Sequence, residues 1–229
     1  MKVSVVMPVF NEAATVGAIV DRVRGAAPDA ELVIVDDGSS DETRETLEQL
    51  SHHEGITICR HERNWGKGAA LRTGFKAVTG DVVLIQDADL EYDPNEYPQV
   101  LTPILEDRAD VVYGSRFSAG RPHRAVYFWH YMGNRSLTFL SNVFTGLRLT
   151  DMETCYKAFR RDVVDRLVIK EDRFGVEPEI TARVARMKCR VREVGISYYG
   201  RTFREGKKIG WIDGLRAIWC IIKYNVLRR

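Results

Sequence analysis

The sequence lacks the features of proteins that are held together by disulfides or structural metals. Its four cysteines, at positions 59, 155, 189 and 220, lie far apart and form no C-x-x-C pair. This spacing is typical of reduced thiols and indicates neither a disulfide framework nor a cysteine zinc site. The five histidines show no ligand spacing either, because the adjacent His52 and His53 would point to different sides of a helix.

Long apolar runs, repeats and an excess of one charge are also missing. No run reaches the roughly 20 apolar residues of a transmembrane helix. Residues 2–10 are apolar, but Pro8 interrupts them and polar residues follow, which indicates a first strand rather than a signal peptide. The net charge of +2 gives no indication of a nucleic-acid partner. The sequence therefore predicts an ordinary folded domain without a membrane span.

What the sequence does contain is 229 residues, 45% of them hydrophobic, which is enough for one large α/β domain. Up to residue 115, apolar strand patterns alternate with helical patterns, which predicts a mostly parallel sheet flanked by helices. Strands are predicted over residues 3–9, 31–36, 56–60, 81–86 and 110–113, and helices over 12–24, 39–50, 68–78 and 94–106. We expect Asn11 to be the N-cap of the first helix, and Ser39 and Glu42 to form a capping box at the second.

The second half of the chain has a different character. Helices are predicted over residues 125–144, 175–188 and 212–227, with a strand over 190–198 and a basic loop over 201–208. The first and last of these helices mix aromatic residues with Arg or Lys, a combination found in helices that lie at a membrane interface. The alternative is that both pack on the sheet.

Two carboxylates, Asp87 and Asp89, follow the buried strand predicted over residues 81–86, and Glu91 comes two positions later. Ligands of open α/β sheets gather at the carboxyl ends of the strands. Carboxylates placed there suit a hard divalent cation, which binds oxygen and can bridge to a diphosphate. An Asp-x-Asp pair alone is also common in polar loops, so its position after a strand is what favours a metal site.

Other polar segments have both a functional and a structural interpretation. Asp36 and Asp37 could accept hydrogen bonds from a base or ribose, or simply form a turn with Gly38. The glycine-rich stretch 64–70 could place Lys67 near an anion, but it matches no phosphate-loop motif, and a tight turn before a helix is favoured.

The cationic and acidic residues of the second half extend this pattern. Arg116 follows a predicted strand and could bind phosphate oxygens with its guanidinium fork. Arg201 and Lys207 lie in a glycine-containing loop that could close over a diphosphate, or be a solvated surface loop. Asp151 and Glu153 stand two residues apart beside Tyr156 and Lys157, where one carboxylate could act as a general base or orient an acceptor. The structural alternative is helix capping around Thr150 and Asp151.

Taken together, these segments resemble the family-2 glycosyltransferases, and among them the polyprenyl-phosphate (dolichyl-phosphate) hexose synthases. The resemblance covers nearly the whole chain and rests on the order and spacing of six segments and one cationic pair, namely residues 5–12, 35–39, 64–68, 87–91, 114–116 and 151–157, and Arg201 with Lys207. It implies a GT-A fold, a Rossmann-like sheet in one domain over residues 1–229. Residues 1–115 would form the nucleotide-binding half and residues 116–229 the acceptor-binding half.

The resemblance also implies a role for each matching residue. Nucleoside-binding roles fall to Pro8, Phe10, Glu12, Val35 and Asp37. Asp87, Ala88 and Asp89 would meet the ribose, the diphosphate and a metal ion, and Asp89 with Glu91 would ligate Mg²⁺ or Mn²⁺. Phosphate contacts fall to Arg116, Arg201 and Lys207, and the residues expected to act in catalysis are Asp89, Arg116 and Asp151.

The expected reaction is transfer of a hexose, with inversion, from a nucleotide sugar to a polyprenyl phosphate. UDP-glucose and GDP-mannose are both reasonable donors, and residues 153–157 favour a UDP-hexose. The protein is expected to be cytoplasmic and to dock peripherally on the inner face of the cytoplasmic membrane. Two alternatives remain, a soluble transferase that acts on a hydroxyl and a non-catalytic nucleotide-sugar binding module. A binding module would not need both the metal-binding carboxylates and the basic loop, so their joint presence favours an enzyme.

Overall fold

The computed structural model describes residues 1–117, 128–200 and 211–227, with the main chain alone at 128–130, 211 and 212. The strands are β1 (Val3–Val9), β2 (Glu31–Asp36), β3 (Ile56–Arg60), β4 (Val82–Ile85), β5 (Val111–Ser115), β6 (Lys157–Arg160) and β7 (Val191–Gly195). The helices are α1 (Val16–Ala26), α2 (Thr43–Leu50), α3 (Lys67–Ala77), α4 (Tyr97–Leu105), α5 (Phe128–Thr145), α6 (Arg161–Arg166), α7 (Val176–Arg186) and α8 (Trp211–Ile222). A 3₁₀ turn (Pro94–Glu96) precedes α4, and a π-helical turn (Lys223–Leu227) continues α8.

All seven strands form one sheet in the order β3-β2-β1-β4-β6-β5-β7. β6 runs antiparallel to β4 and β5, and the other neighbouring strands are parallel. The carboxyl ends of six strands therefore lie along one edge, which we call the carboxyl edge, and β6 begins there. This confirms the predicted mostly parallel α/β sheet, which spans both halves of the chain.

The central strands are continuous apolar runs because both faces of the sheet are covered. Every residue of β4 is buried, as are residues 32–36 of β2 and 4–7 of β1. Helix α3 packs on β1 and β2, and α4 packs on β5 and β6. A strand buried on both faces shows little polar–apolar alternation, which is why these strands are recognisable as short hydrophobic segments.

Two predicted helix starts are wrong. α1 begins at Val16 rather than at residue 12, because Asn11 has a φ of 50° and residues 12–15 form a turn. Ser39 does not cap α2, which begins at Thr43. Its N–H donates to Asp36 Oδ1 over 2.9 Å, and its Oγ accepts from Asn11 N over 3.0 Å. These polar side chains join the loops after β1 and β2 instead of capping helices.

The sequence patterns also miss β6 and α6. β6 is only four residues long and begins with Lys157, a charged residue that is completely buried. A short segment that starts with a lysine carries no strand signal, since buried lysines are rare and need a partner. The partner comes from α7, as described below.

Helix α5 buries polar residues and exposes several large apolar ones. Thr138 and Ser141 are buried, whereas Phe139 and Val143 are 70% and 62% exposed. α5 packs against α7 and α8, and α8 likewise exposes Leu215, Ile218 and Trp219. None of the helices in the described part of the chain combines the length and apolar character needed to cross a bilayer.

Candidate active site

The turn after β4 is held in place by a buried glutamine. Gln86 Oε1 accepts hydrogen bonds from the hydroxyls of Tyr97 and Tyr156 over 2.8 and 2.7 Å. Its Nε2 donates to the carbonyl oxygen of Asp87 over 2.9 Å. Because all three side chains are buried, these bonds fix the main chain from which Asp87 and Asp89 project.

Asp87 lies in an ion pair with Lys67, from the first turn of α3. Their Oδ1 and Nζ atoms are 2.9 Å apart, and Lys67 Nζ is also 3.3 Å from Glu177 Oε1 of α7. Burial alone would raise the pKa of the Asp87 carboxyl, but Lys67, Cys155 and Lys157 together outweigh it and hold that pKa below its usual value. Burial opposes the charge of Lys67 as well, yet Asp87 and Glu177 keep its pKa well above the ordinary value.

Asp89 and Glu91 lie beside Tyr198, which follows β7. Asp89 Oδ1 accepts from the N–H of Glu91 over 3.1 Å, and Glu91 Oε2 accepts from the Tyr198 hydroxyl over 2.9 Å. In the described part of the chain, no three carboxylate, imidazole or thiol groups gather as a metal cage. The oxygen-only donor pair of Asp89 and Glu91 fits a hard divalent cation that takes its other ligands from water and substrate.

Arg116, just after β5, forms a two-pronged ion pair with Asp151. Its Nε and Nη2 atoms are 2.7 and 2.8 Å from Asp151 Oδ2 and Oδ1. The N–H of Arg116 also donates to Oδ2 over 3.1 Å, and Asn134 Nδ2 of α5 donates to Oδ1 over 3.1 Å. The guanidinium lies 5.1 Å from the centre of the Tyr198 ring. Arg116 is thus joined through Tyr198 to Glu91, although the two residues lie on different loops.

This geometry bears on the expected catalytic role of Asp151. The residue has no exposed surface, and both of its carboxylate oxygens accept donors from Arg116. A general base must come within hydrogen-bonding reach of the proton that it abstracts. The arrangement suits a residue that orients Arg116, and it offers no oxygen to a substrate hydroxyl.

The loop after β1 meets the turn after β4 through a threonine. Thr15 Oγ1 is 3.0 Å from Glu12 Oε2 and 3.0 Å from the carbonyl oxygen of Ala88. Pro8 and Val35 are register partners in β1 and β2, and Phe10 follows β1. Val35 is completely buried, its side chain belongs to the core, and it is paired with β1 and β3.

Asp37 is engaged by the glycine-rich loop rather than open to a ligand. Its Oδ1 accepts from Trp65 N over 3.0 Å and lies 2.7 Å from His61 Nδ1, while its Oδ2 accepts from Gly66 N over 2.7 Å. The N–H of Ala69, in the first turn of α3, donates to Asp172 O. These amides are therefore used within the protein, as the tight-turn interpretation predicts, and they do not cradle a phosphate.

The two glycines of this loop are required by close packing. A Cβ at Gly68 would lie 2.0 Å from the carbonyl oxygen of Glu171, and Gly66 has a φ of 108°. Both glycines thus allow residues 171–172 to pass directly over the start of α3.

One residue of this charge cluster escapes the sequence analysis, and two predicted site residues lie outside the described part of the chain. Glu177 bridges Lys67 and Lys157, but in the sequence it is an ordinary acidic residue in the first turn of a helix. Nothing in its spacing shows that both lysines face it. Arg201 and Lys207 lie outside the described residues.

The sheet and its carboxyl edge define an α/β protein whose acidic turn lies beside two cations, Lys67 and Arg116, each paired with a carboxylate. Comparison with known proteins gives the family. The model of glycosyl transferase family 2 matches residues 4–168. The chain therefore belongs to the family-2 glycosyltransferases and is a glycosyltransferase, and the resemblance in the sequence is confirmed.

Two of the proteins with similar sequences match most of this chain. An uncharacterized protein of Methanocaldococcus jannaschii is 26% identical over 98% of this chain and 93% of its own length. An undecaprenyl-phosphate 4-deoxy-4-formamido-L-arabinose transferase of Yersinia pestis is 30% identical over 90% of this chain. The match covers only 62% of that transferase, so the chain spans less than two thirds of its length.

Solved structures give the same architecture. The glucosyl-3-phosphoglycerate synthase of Mycobacterium tuberculosis, crystallised with Mn²⁺, UDP and glucosyl-3-phosphoglycerate, superposes with a TM-score of 0.75. It is 19% identical, and the match covers 98% of this chain and 80% of that one. At this identity the likeness establishes the fold, which is the expected GT-A type.

Proposed function

We propose that this glycosyltransferase moves a hexose, with inversion, from a nucleotide sugar to a polyprenyl phosphate, with Mg²⁺ or Mn²⁺ as cofactor. The observation that carries the proposal is the convergence of an acidic turn, Asp87 to Glu91, and a clamped cation, Arg116, on Tyr198 at one edge of the sheet. The acidic turn suits the metal and diphosphate of a donor. The cation suits a second anion, the acceptor phosphate.

On the donor side, Asp89 and Glu91 would hold the metal ion. The ion, when bound, would stabilise the negative charge that develops on the leaving diphosphate. The mycobacterial structures that contain Mn²⁺ with UDP or UDP-glucose support a divalent cation and a uridine nucleotide on this fold. Glu12, Phe10 and Pro8 surround the same edge and would contact the nucleoside, with Arg201 and Lys207 as further phosphate ligands.

On the acceptor side, the burial of Asp151 favours a phosphate over a hydroxyl. A hydroxyl acceptor must lose a proton to a base, whereas a lipid monophosphate is already anionic near neutral pH and needs only positioning and charge compensation. Asp151 fixes the guanidinium of Arg116 in one orientation, so that Arg116 can receive a phosphate without reorganisation. The undecaprenyl-phosphate transferase relatives have an acceptor of this class.

A lipid acceptor requires contact with a membrane, and the exposed apolar residues of α5 and α8 provide a surface for it. These are Tyr131, Met132, Phe139, Val143 and Phe144 of α5, and Leu215, Ile218 and Trp219 of α8. Of the cations in and after α8, Arg216 and Lys223 both bind Glu171, and Arg228 and Arg229 lie outside the described residues. Arg135 of α5 and Arg148, three residues after α5, are exposed. We propose peripheral docking on the inner face of the cytoplasmic membrane.

The test is release of nucleoside diphosphate by the purified chain, with each donor and each acceptor supplied separately. A thermal-shift screen of nucleotide sugars with Mn²⁺ identifies the donor, UDP-glucose and GDP-mannose being the first to try. Release that depends on added polyprenyl phosphate and stops with a chelator supports the proposal. Release with only a water-soluble hydroxyl acceptor would establish the soluble-transferase alternative, and binding without turnover would establish a binding module.

A further inference from the structure

A chain of buried charges extends from the acidic turn at the carboxyl edge to the segment before β6. It runs from Asp87 through Lys67 to Glu177 and then to Lys157. Lys157 is completely buried, and its Nζ donates to Glu177 Oε2 and to the carbonyl oxygen of Thr154. The ammonium is therefore satisfied by these two acceptors, and the segment from Asp151 to Lys157 is pinned against the start of α7.

Two neighbouring side chains in this segment have polar atoms without a partner. Among the described residues, Glu153 Oε1 and Thr154 Oγ1 are closed to water and make no hydrogen bond. Thr154 is completely buried, and Glu153 is partly exposed as a residue although its Oε1 is closed to water. A buried polar atom left unpaired costs about 1–3 kcal/mol, and native proteins keep few of them without a reason.

The location of these atoms points to a ligand. Glu153 lies in the short segment between Asp151, which holds Arg116, and Lys157, which binds Glu177. The N–H of Cys155, in the same segment, donates to the hydroxyl of Tyr92, the residue after Glu91, over 3.1 Å. The segment that carries the unpaired oxygens thus joins the acidic turn that suits the donor diphosphate to the cation that suits the acceptor. The sugar being transferred must pass between these two groups.

The charges around Glu153 favour its protonated form. Burial and the neighbouring Glu177 of α7 raise the pKa of the Glu153 carboxyl to about 8, although Lys157 of β6 and Arg116 after β5 oppose the rise, and Asp151 adds to it. A neutral carboxyl both donates and accepts a hydrogen bond, and so does a threonine hydroxyl. A sugar hydroxyl has the same two capacities and is the complementary partner.

We propose that Glu153 and Thr154 form a binding site for a hydroxyl of the transferred hexose and thereby determine which hexose the enzyme accepts. The inference rests on the donor half of the proposed function and does not depend on the acceptor. A site that hydrogen-bonds a substrate hydroxyl rejects the analogue that lacks it, because its buried polar atoms are then left unpaired. Glu153 is here a specificity residue and not the general base for the acceptor.

The experiment compares Glu153→Ala and Glu153→Gln with the wild-type chain, using the donor found in the screen and its single-deoxy analogues. Glu153→Ala should lower kcat/KM for the parent donor about 10- to 100-fold, as expected for a lost buried hydrogen bond. Glu153→Gln should recover most of that loss, because the amide also donates and accepts. Binding of the free nucleoside diphosphate, measured by calorimetry, should be equal in all three proteins.

One of the deoxy donors should distinguish the wild type from Glu153→Ala. The wild type should discriminate against it by a factor similar to the Glu153→Ala loss, and Glu153→Ala should not discriminate against it at all. Wild-type kcat/KM should also fall as the pH rises through about 8, because the ionised carboxylate no longer donates. Glu153→Gln should lack that limb of the profile.

Equal discrimination among the deoxy donors by Glu153→Ala and wild type would overturn the assignment. So would a loss of nucleoside diphosphate binding in Glu153→Ala as large as its loss of kcat/KM. The results that would overturn the proposed function differ from those that would overturn the role of Glu153. Turnover with a hydroxyl acceptor alone would remove the polyprenyl-phosphate proposal and leave the donor comparison decisive. A wild-type chain that binds no nucleotide sugar would overturn both.

Discussion

At the scale of single residues, Arg116 and Asp151 act as one unit. The guanidinium and carboxylate are matched in two parallel hydrogen bonds, with Asp151 fully buried and the Arg116 side chain 13% exposed, so the pair is held in one orientation. A lysine keeps the charge but has no planar fork, and it cannot replace this geometry.

Arg116→Lys is therefore expected to lower kcat/KM about 100-fold, equivalent to about 2.7 kcal/mol. Asp151→Asn should give a loss of similar size, and the double variant should lose little more than the worse single variant, because both changes release the same guanidinium. Steady-state kinetics measures this. Additive losses, or a limb of the pH–rate profile that vanishes only in Asp151→Asn, would instead identify Asp151 as a general base.

Asp89→Asn should remove most of the activity and leave the fold intact. The amide cannot supply the anionic oxygen that a hard cation prefers, but it still accepts the hydrogen bond from Glu91 N that shapes the turn. Thermal unfolding should be unchanged, and the dependence of residual activity on Mn²⁺ should shift to higher concentration. Asp29→Asn, at an exposed position, is the charge-matched control. Near-normal turnover by Asp89→Asn would show that the metal lies elsewhere.

At the scale of secondary-structure elements, the segment before α7 holds the glycine-rich loop and α8 together. Residues 171–172 cross Gly66 and Gly68 on one side, and on the other side Glu171 accepts hydrogen bonds from Arg216, Lys223 and Tyr224. A cavity of about 430 Å³ lies here, lined in part by Glu171 and Trp219. α8 is thus attached to the loop that carries Lys67.

Gly68→Ala tests the close approach of the loop. The new methyl group would overlap the carbonyl oxygen of Glu171, so the main chain must move, and we expect a loss of about 1–3 kcal/mol in the free energy of unfolding. Gly25→Ala is the matched control, since no atom lies within 4 Å of its Cβ position in α1, and it should be neutral or stabilising. Urea denaturation measures both. Equal changes in unfolding free energy would mean that the loop can move to accommodate the methyl group at no cost.

Glu171→Gln tests the attachment of α8. Burial alone would raise the pKa of this carboxyl, but its bonds to Lys223, Arg216 and Tyr224 lower it to about 2. Because the folded pKa lies below the unfolded value, the stabilisation is complete above the unfolded pKa and is lost as the pH falls through about 2. The difference in unfolding free energy between wild type and Glu171→Gln should therefore be constant near neutral pH and shrink in acid. A difference independent of pH would exclude an ionised Glu171.

At the scale of the whole molecule, α5 and α8 give the protein one side whose exposed surface is apolar. Helix α5 turns several polar residues inward, where Asn134 and Thr138 bond to Asp151 and Met152 N, and places Phe139 and Val143 outward. A helix of an isolated domain usually has the reverse arrangement. The same helix therefore contributes to the Arg116 clamp and to the surface proposed to meet the membrane.

Phe139→Ser combined with Val143→Ser should weaken sedimentation with anionic liposomes about 10-fold or more, because each exposed apolar side chain contributes roughly 1.5–3 kcal/mol when buried in an apolar medium. Wild-type binding should also weaken as salt rises, since cations near anionic lipid contribute about 1 kcal/mol each. Leu105→Ser, at the end of α4, is the control at another exposed apolar position. Equal loss in the control, or no wild-type binding at low salt, would refute docking through this surface.

The sequence by itself determines the class of fold and the identity of the acidic turn. Short apolar runs and helical periodicity are local properties, and they give the alternation of elements from β1 to β5 within a few residues. Asp87, Asp89 and Glu91 are recognisable because they follow a buried strand directly. The order of the motifs along the chain is likewise a property of the sequence, and it is sufficient for the family.

The tertiary structure alone decides how these groups are paired. Asp151 meets Arg116 across 35 residues, and Glu177 meets Lys67 and Lys157 from a third element. The antiparallel strand β6 brings the segment 151–157 to the carboxyl edge, and its four residues carry no pattern that announces this. Partner choice depends on which loops meet at one edge of the sheet. Local spacing therefore shows which residues can bring charge to the carboxyl edge. Only packing shows which of these charges neutralise each other and which polar atoms are left for a ligand.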